Sequence, residues 1–555
     1  MISVRLAGDE LVVKAHGQLF HTRITQIRNL PNRHYHNKAW YVPRSNIQEL
    51  INAVGAENIA WLTPQHVIEG RTIDMPDPLD NVPIIEDFGE MNIEMPLFQK
   101  QGASFLVHKG SVLLCDEVGT GKTIEAAAAM RYLLGLGTIR RVLVICPNSV
   151  ALQWEEELTT KFNLQGITTI RGTTKQREKL WEERRDIVII NYDLLLREDI
   201  RNVRELNPDL VIVDEAHFIK NPDAQRTQAV RSIEADWRWL LTSTPMENKP
   251  EELYELMYYA CPHVFGTKRS FRKRYVITEF VPRLMTRITI GYRNLHEIHQ
   301  LASPYMLRRR ATEVVDQLPR CREQRRYVEL TRDQEKLHKQ LQDHIDKLRT
   351  LPAVARNPES TREEILGCLQ LQAEVCDSIE LLRNSSNSKI KAQAERMSTT
   401  SHKLEELIEL VHDITDAGYQ VTVFTRFRSM LGIIARHIPD VPITYIHGGM
   451  NQDSRHQAKL DFTSGKARVM LTTEAGQTGL NLQSAAVTIN YDLPWTPTAY
   501  DQRVGRMVRI GNPHDETMVI NLIATSPNFT TVDERMYDCI INKRELIDIV
   551  VEGQY

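Results

Sequence analysis

Short, continuous apolar runs alternate with helical stretches along most of this chain. Between residues 91 and 262 the runs fall at 112–115, 142–146, 187–190, 210–213 and 239–242. The same rhythm returns after residue 400, at 421–425, 443–446, 469–473, 487–490 and 519–523. Continuous, mostly apolar runs predict strands covered on both faces. Helical stretches between them predict the crossovers of a parallel sheet. The expected fold class is α/β, with two lobes.

The pattern changes between the lobes. Leu330, Leu337, Leu341, Ile345 and Leu348 share one face of a long helix. Ser360 with Glu363, and Thr361 with Glu364, read as capping boxes that open a second helix. Residues 384–388, all Asn or Ser, form a polar loop. Before the first lobe, Leu11-Val12-Val13 after Gly8-Asp9-Glu10 predicts a hairpin, and the Pro- and Asp-rich residues 71–90 a linker. The expected division is a small α+β domain over 1–90, a first lobe over 91–262, a basic linker with a helical insertion over 263–400, and a second lobe with a C-terminal helix over 401–555.

The chain has 555 residues, 42% hydrophobic and 25% charged, a globular composition long enough for three or four domains. No apolar run approaches the ~20 residues of a membrane helix, and the start has no secretory pattern. Seven cysteines without a C-x-x-C pair predict reduced thiols in a cytosolic protein and no structural zinc. His16, His21, His34 and His36 lack the companions of a metal site and read as surface or core residues. The net charge of −3 hides a local excess: residues 263–326 hold 15 Lys and Arg against 5 Asp and Glu. That stretch is either a solvated basic face or a surface that tracks a polyphosphate.

The most informative stretch is 112–123. An apolar strand runs into Asp116-Glu117-Val118-Gly119-Thr120-Gly121, and a helix is expected from Lys122. Gly119 and Gly121 let successive N–H groups face one anion, and the helix adds its positive end. Lys122 suits the β- and γ-phosphates and the Thr123 hydroxyl suits Mg²⁺. The usual pattern has one more glycine, where this chain has Asp116.

Three further constellations follow. Asp214 and Glu215 leave the C-terminal end of a buried strand, where Asp214 would hold the Mg²⁺–ATP unit and Glu215 would polarise the attacking water. Thr242-Ser243-Thr244-Pro245 follows another buried strand and, taken alone, is a turn. Gln502, Arg506 and Arg509 are expected on one helical face, where the arginine forks suit a γ-phosphate. Taken alone, the two arginines also fit a basic surface helix.

In this order the motifs resemble the Swi/Snf-type family of superfamily-two helicase-like ATPases, from residue 94 to about 550. Residues 115–123 resemble its first motif, in which an aspartate at position 116 is normal. Pro96-Leu97-Phe98-Gln99 resembles the motif whose glutamine reads adenine. Val144-Ile145-Cys146-Pro147 with Gln153 and Trp154 resembles a DNA-contacting motif. Asp214-Glu215-Ala216-His217 and residues 242–245 follow. Met306-Leu307-Arg308-Arg309-Arg310, Leu318-Pro319 and residues 328–331 resemble the segment that joins the lobes. Residues 476–482, Asn490-Tyr491-Asp492 with Trp495, and residues 502–511 resemble the second lobe, although Asn512 stands where glutamine is usual. Ile24, Ile27, Leu30-Pro31, Tyr35, Lys38-Ala39-Trp40 and Pro43 resemble the HARP domain of annealing helicases, which binds branched DNA.

The resemblance implies two RecA-like lobes with parallel sheets, a helical insertion between them, ATP and Mg²⁺ as cofactors, and double-stranded or branched DNA as partner. It implies nucleotide contacts from Gln99, residues 116–123 and Gly479, with Asp116, Glu117, Val118, Gly119, Thr120 and Gly121 forming the cradle. It implies DNA contacts from Gln153, Trp154, Thr473 and Trp495. The expected activity is that of a DNA-dependent ATPase translocating on duplex DNA, to remodel DNA or displace bound protein. A strand-separating helicase and an ATP-gated DNA-binding adaptor are the alternatives. The expected protein is a monomer off the membrane. The short stretch after Gly511 favours a bacterial, archaeal or viral source over a eukaryotic remodeller.

Overall fold

The structure is a computed structural model that describes residues 2–7, 10–15, 27, 30–31, 33–36, 39–54, 59–61, 76–183, 185–197, 199–281, 286–314, 319–350, 358–473, 484–508 and 512–551. The chain divides into two units, residues 1–310 with 545–555, and residues 311–544.

The first unit begins with a small sheet of β1 (Ile2–Ala7), β2 (Glu10–Ala15), β3 (His34–His36), β4 (Ala39–Pro43) and β5 (Ile59–Trp61), in the order β3-β4-β2-β1-β5. β1 and β2 form the expected antiparallel hairpin. Val4, Leu11, Val13 and Val42 meet Leu50 and Val54 of the helix Ile47–Val54 in a separate small core.

The same unit contains the first lobe. Its strands are β6 (Val112–Leu114), β7 (Val142–Cys146), β8 (Ile167–Thr169), β9 (Ile187–Asn191), β10 (Leu210–Asp214) and β11 (Trp237–Leu241), followed after the hairpin β12 (Val276–Val281) and β13 (Thr286–Tyr292) by β14 (Met306–Leu307). The sheet order is β14-β6-β11-β10-β7-β9-β8, and every pair is parallel. Alternate residues feed opposite cores, which is why β6 and β7 are apolar throughout and β9 and β10 are polar only at their last residue. Leu113, Ile145, Val211 and Leu240 face one core with Leu253 and Met257 of the helix Pro250–Ala260. Leu114, Val144, Ile212 and Leu241 face the other with Phe105 and Met130.

The second unit carries β15 (Arg320–Glu329), β16 (Val421–Phe424), β17 (Ile443–Ile446), β18 (Val469–Thr472), β19 (Val487–Asn490) and β20 (Glu516–Thr525), in the order β15-β20-β19-β16-β18-β17, again all parallel. Helices Arg332–Thr350 and Pro358–Asp377 pack through Leu337, Leu341, Ile345, Cys368 and Val375. Ala373 and Cys376 then join this packed pair to Val519 and Ile523 of β20. Both lobes have the RecA-like parallel-sheet form.

Four expectations are revised. Phe271, Tyr275, Leu295, Ile298 and Met306 belong to the first lobe's core, so 263–310 is part of that lobe and not of a linker. β15 is a strand of the second sheet; it lies at the edge with nearly every side chain exposed, so it carries no apolar signature. Residues 545–555 group with the first unit. The helix expected to start at the Ser360 and Thr361 boxes starts at Pro358, which puts both residues inside it. Among the described residues, no helix is long and apolar enough to cross a membrane.

Candidate nucleotide site

Strands β6, β11 and β10 are neighbours in the first sheet. Their C-terminal ends lead into residues 115–121, 242–245 and 214–217, so three motifs far apart in sequence arrive side by side. This is the edge at which open parallel sheets bind ligands.

The phosphate loop has the backbone its glycines permit. Gly119 and Gly121 have φ of 90° and 92°, and the helix Lys122–Gly135 starts at once after them. A Cβ at Gly121 would collide with the Gln99 amide. Gln99 Nε2 donates to the Thr120 carbonyl at 2.9 Å, and the Thr120 hydroxyl donates to the Glu117 carbonyl at 3.0 Å. Lys122 Nζ lies across the loop, donating to the carbonyls of Asp116 (2.7 Å) and Glu117 (3.0 Å). Burial lowers the Lys122 pKa, with Glu215 and Asp116 opposing that shift. Val118 is partly exposed in the loop, and Thr123 lies in the helix's first turn.

Asp116 corrects an expectation. Its carboxylate is fully buried and is not turned toward a phosphate. Oδ1 accepts the Arg309 backbone N–H at 2.9 Å, and Oδ2 accepts Arg309 Nε at 3.0 Å. Only the Asp116 main chain faces Lys122.

The acidic pair is also anchored from below. Asp214 Oδ2 accepts the Trp154 indole N–H at 2.8 Å, Oδ1 accepts the Glu215 N–H at 2.9 Å, and the Tyr192 hydroxyl donates to the Asp214 carbonyl at 2.5 Å. Burial, then the neighbouring Glu215 charge, raises the Asp214 pKa to about 6. Trp154 is 1% exposed. A ring in the core offers no face to DNA, so the expected DNA contact gives way to an internal role of aiming Asp214. Gln153, next to it, is exposed and bonds Glu157 at 3.0 Å.

Glu215 has φ of 52°, in the left-handed region that a non-glycine residue adopts at a cost. Its Oε2 lies 3.2 Å from His217 Nδ1, which is 3.5 Å from Thr242 Oγ1. His217 therefore bridges the acidic motif to residues 242–245, where the sequence alone allowed a plain turn.

In the second unit the helix Pro497–Val504 ends before Arg506. Gln502 is helical, and Arg506 follows in a turn in which its N–H donates to the Arg503 carbonyl at 3.3 Å. Arg509 and Gly479 lie outside the described residues. Arg503, to which the sequence pattern gives no role, is fully buried and donates to Asn490 Oδ1 (3.0 Å) and the Asp492 carbonyl (2.7 Å). Thr473 is 6% exposed at the end of β18. Trp495 is 43% exposed and stacks with the Arg426 guanidinium at 4.9 Å.

The basic clusters separate by burial. Arg308 and Arg309 are internal: Arg308 Nη1 donates to the carbonyls of Cys115 (2.7 Å) and Ser243 (2.9 Å). Arg269, Arg272 and Lys273 on the helix Lys268–Tyr275 are exposed, without an acidic partner among the described residues. On β15, Arg322 pairs with Glu516, and Arg325 lies over Tyr537.

The residues present fit ATP with Mg²⁺. A loop with Gly119 and Gly121 at φ of 90° and 92°, opening directly into a helix N-terminus, suits a phosphate. The Thr123 hydroxyl and Asp214 carboxylate are the hard oxygen donors that Mg²⁺ takes.

Residues 98–381 match the SNF2-related domain, and residues 402–511 match the helicase conserved C-terminal domain. The chain is 28% identical to the uncharacterized ATP-dependent helicase YqhH of Bacillus subtilis, over 80% of this chain and 76% of that one. It is 26% identical to the ISWI chromatin-remodeling complex ATPase ISW1 of Saccharomyces cerevisiae, over 83% of this chain and 41% of that one. The solved SWI2/SNF2 ATPase core of Sulfolobus solfataricus in complex with dsDNA is similar at 25% identity and TM-score 0.40, covering 84% of this chain and 96% of that one. The SNF2-related match alone takes in more than half of the residues, and the chain belongs to that family of helicase-like ATPases.

Proposed function

We propose that the protein is a DNA-stimulated ATPase that translocates on double-stranded DNA. The convergence of the phosphate loop, the Asp214–Glu215 pair and residues 242–245 on three adjacent strand ends carries the ATPase half of this reading. Lys122 and the loop N–H groups bind the phosphates. Thr123 and Asp214 would hold Mg²⁺, which would offset phosphate charge. Glu215, oriented through His217, polarises the water. Arg506 and Arg509 are assigned to the γ-phosphate.

The DNA half rests on the exposed side chains of Arg269, Arg272 and Lys273, which have no acidic partner among the described residues. Such side chains suit sequence-independent contact with phosphates. Gln153, Thr473 and Trp495 are further assigned contacts. For residues 1–90 the assignment is branched-DNA preference, supported by Tyr35, 55% exposed and 4.9 Å from the Trp40 ring, an aromatic pair that can stack on an unpaired base.

The test is ATPase rate against single-stranded, duplex, forked and Holliday-junction DNA. Duplex or branched DNA raises the rate. A DNA-independent rate overturns the proposal, and displacement of a labelled strand shifts it to a strand-separating helicase. Removing residues 1–75, which keeps Leu79, Ile85 and Phe88 on the first lobe's core, should spare basal hydrolysis and abolish any preference for branched DNA; a preference that survives removes the assignment of that region.

A further inference from the structure

The segment 306–309 is built into the phosphate loop. β14 adds to the sheet beside β6, the strand that leads into the loop. Its hydrogen bonds continue past the strand: Cys115 N donates to the Leu307 carbonyl at 2.7 Å, and Glu117 N to the Arg309 carbonyl at 3.1 Å. The first half of the loop is thus held along its backbone by residues that come nearly two hundred positions later.

Arg309 completes the hold. Its guanidinium, on a residue 8% exposed, meets the fully buried carboxylates of Asp116 and Glu125. Nη2 lies 3.2 Å from both Glu125 oxygens, and Nη1 donates to the Phe98 carbonyl at 2.5 Å, next to Gln99. Glu125 belongs to the helix that Lys122 opens. One side chain therefore fixes the aspartate at the loop's start, the helix at its end and the turn that presents Gln99. Arg308 adds Cys115 and Ser243, the latter in the motif that His217 contacts through Thr242.

Gly102 supports this reading independently. It sits inside the helix Leu97–Lys109, where alanine would be the better helix former. A Cβ there would collide with the Glu125 carboxylate and lie 2.8 Å from Arg309 Nη2. The glycine leaves the space the network occupies. Breaking such a network on one side leaves a buried, unpaired charge.

Arg310 is the last residue of the first unit and Ala311 the first of the second. We propose that Arg309 is a positioning residue of the ATP site, which sets the phosphate loop from the segment where the chain passes between units and so couples DNA stimulation to hydrolysis. The coupling clause rests on the DNA-stimulated ATPase reading; the positioning clause does not.

The experiment uses the full chain with Arg309→Met, Arg309→Lys, Asp116→Asn and Gly102→Ala. Affinity for a fluorescent ADP is measured without DNA, and ATPase rate with and without duplex DNA. Arg309→Met and Asp116→Asn are expected to weaken nucleotide binding about tenfold or more and to lower the ratio of stimulated to basal rate. Arg309→Lys should recover part of both, because a point charge replaces a planar fork. A purely structural role would lower both rates together and leave the ratio unchanged. Folded variants with affinity and ratio within twofold of the parent overturn the proposal. If Arg309→Met does not fold, Asp116→Asn and Arg309→Lys decide alone. If the parent is not stimulated by DNA, the functional reading fails, while ADP affinity still decides whether Arg309 positions the loop.

Discussion

The Trp154 indole nitrogen donates to Asp214 Oδ2 at 2.8 Å, joining a helix of the first lobe to the carboxylate assigned to Mg²⁺. This bond works against the burial and the Glu215 charge that raise the Asp214 pKa to about 6. Without it the proton is held more tightly, and Asp214 ionises only at higher pH.

Trp154→Phe keeps the ring in the core and deletes the donor. A hydrogen bond to a charged group contributes about 1.5–3 kcal/mol, so the loss moves the acid limb of the kcat/KM profile upward by about one pH unit or more. The Mg²⁺ requirement rises with it. An unshifted profile would separate Trp154 from Asp214 function.

Glu215→Gln keeps the shape and removes the base. Hydrolysis should fall by about 10²–10⁴-fold. Because Lys122, Gln99 and the loop backbone are untouched, equilibrium ATP binding should stay near that of the parent. The check pairs phosphate release with filter binding of labelled ATP.

Arg269→Gln, Arg272→Gln and Lys273→Gln in one chain remove three exposed charges of the helix Lys268–Tyr275 and leave Lys268 and Arg274, which pair with Glu255 and Glu297. DNA affinity should fall, and the slope of log affinity against log salt should flatten by about one for each phosphate left unneutralised. Basal ATPase without DNA should not change. An unaltered slope would move the DNA-binding face elsewhere.

His338 makes the second unit sensitive to acid. It is fully buried, and its Nε2 accepts the Val532 N–H at 3.2 Å. Burial, with the Arg535 charge, lowers its pKa from 6.5 to about 4. The folded form therefore holds this proton less tightly than the unfolded form. The resulting stability is complete above about pH 6.5 and is lost as pH falls toward 4. At pH 5 the loss is about 2 kcal/mol. Denaturant midpoints at pH 7.5 and 5 measure it, and His338→Gln should reduce the difference between them.

The parallel sheets were legible because a strand buried on both faces is apolar at nearly every position, as in Val142–Cys146 and residues 210–213. β15 was not, because an exposed edge strand of charged residues gives no hydrophobic period. The phosphate loop and the Asp214–Glu215 pair were legible because their chemistry is local: adjacent residues supply the cradle and the carboxylates. Arg503, Trp154 and Arg309 were not. Each acts on a partner that the fold, and not the spacing, brings to it.

The sequence by itself determined that two α/β lobes follow one another and that Lys122, Thr123, Asp214 and Glu215 belong to one nucleotide chemistry. It also placed an aspartate where the common loop has glycine. Only the tertiary structure decided what Asp116 does. The carboxylate is taken by Arg309, 193 residues away, because β14 pairs with β6 and brings the two into a space where an unpaired charge could not be buried.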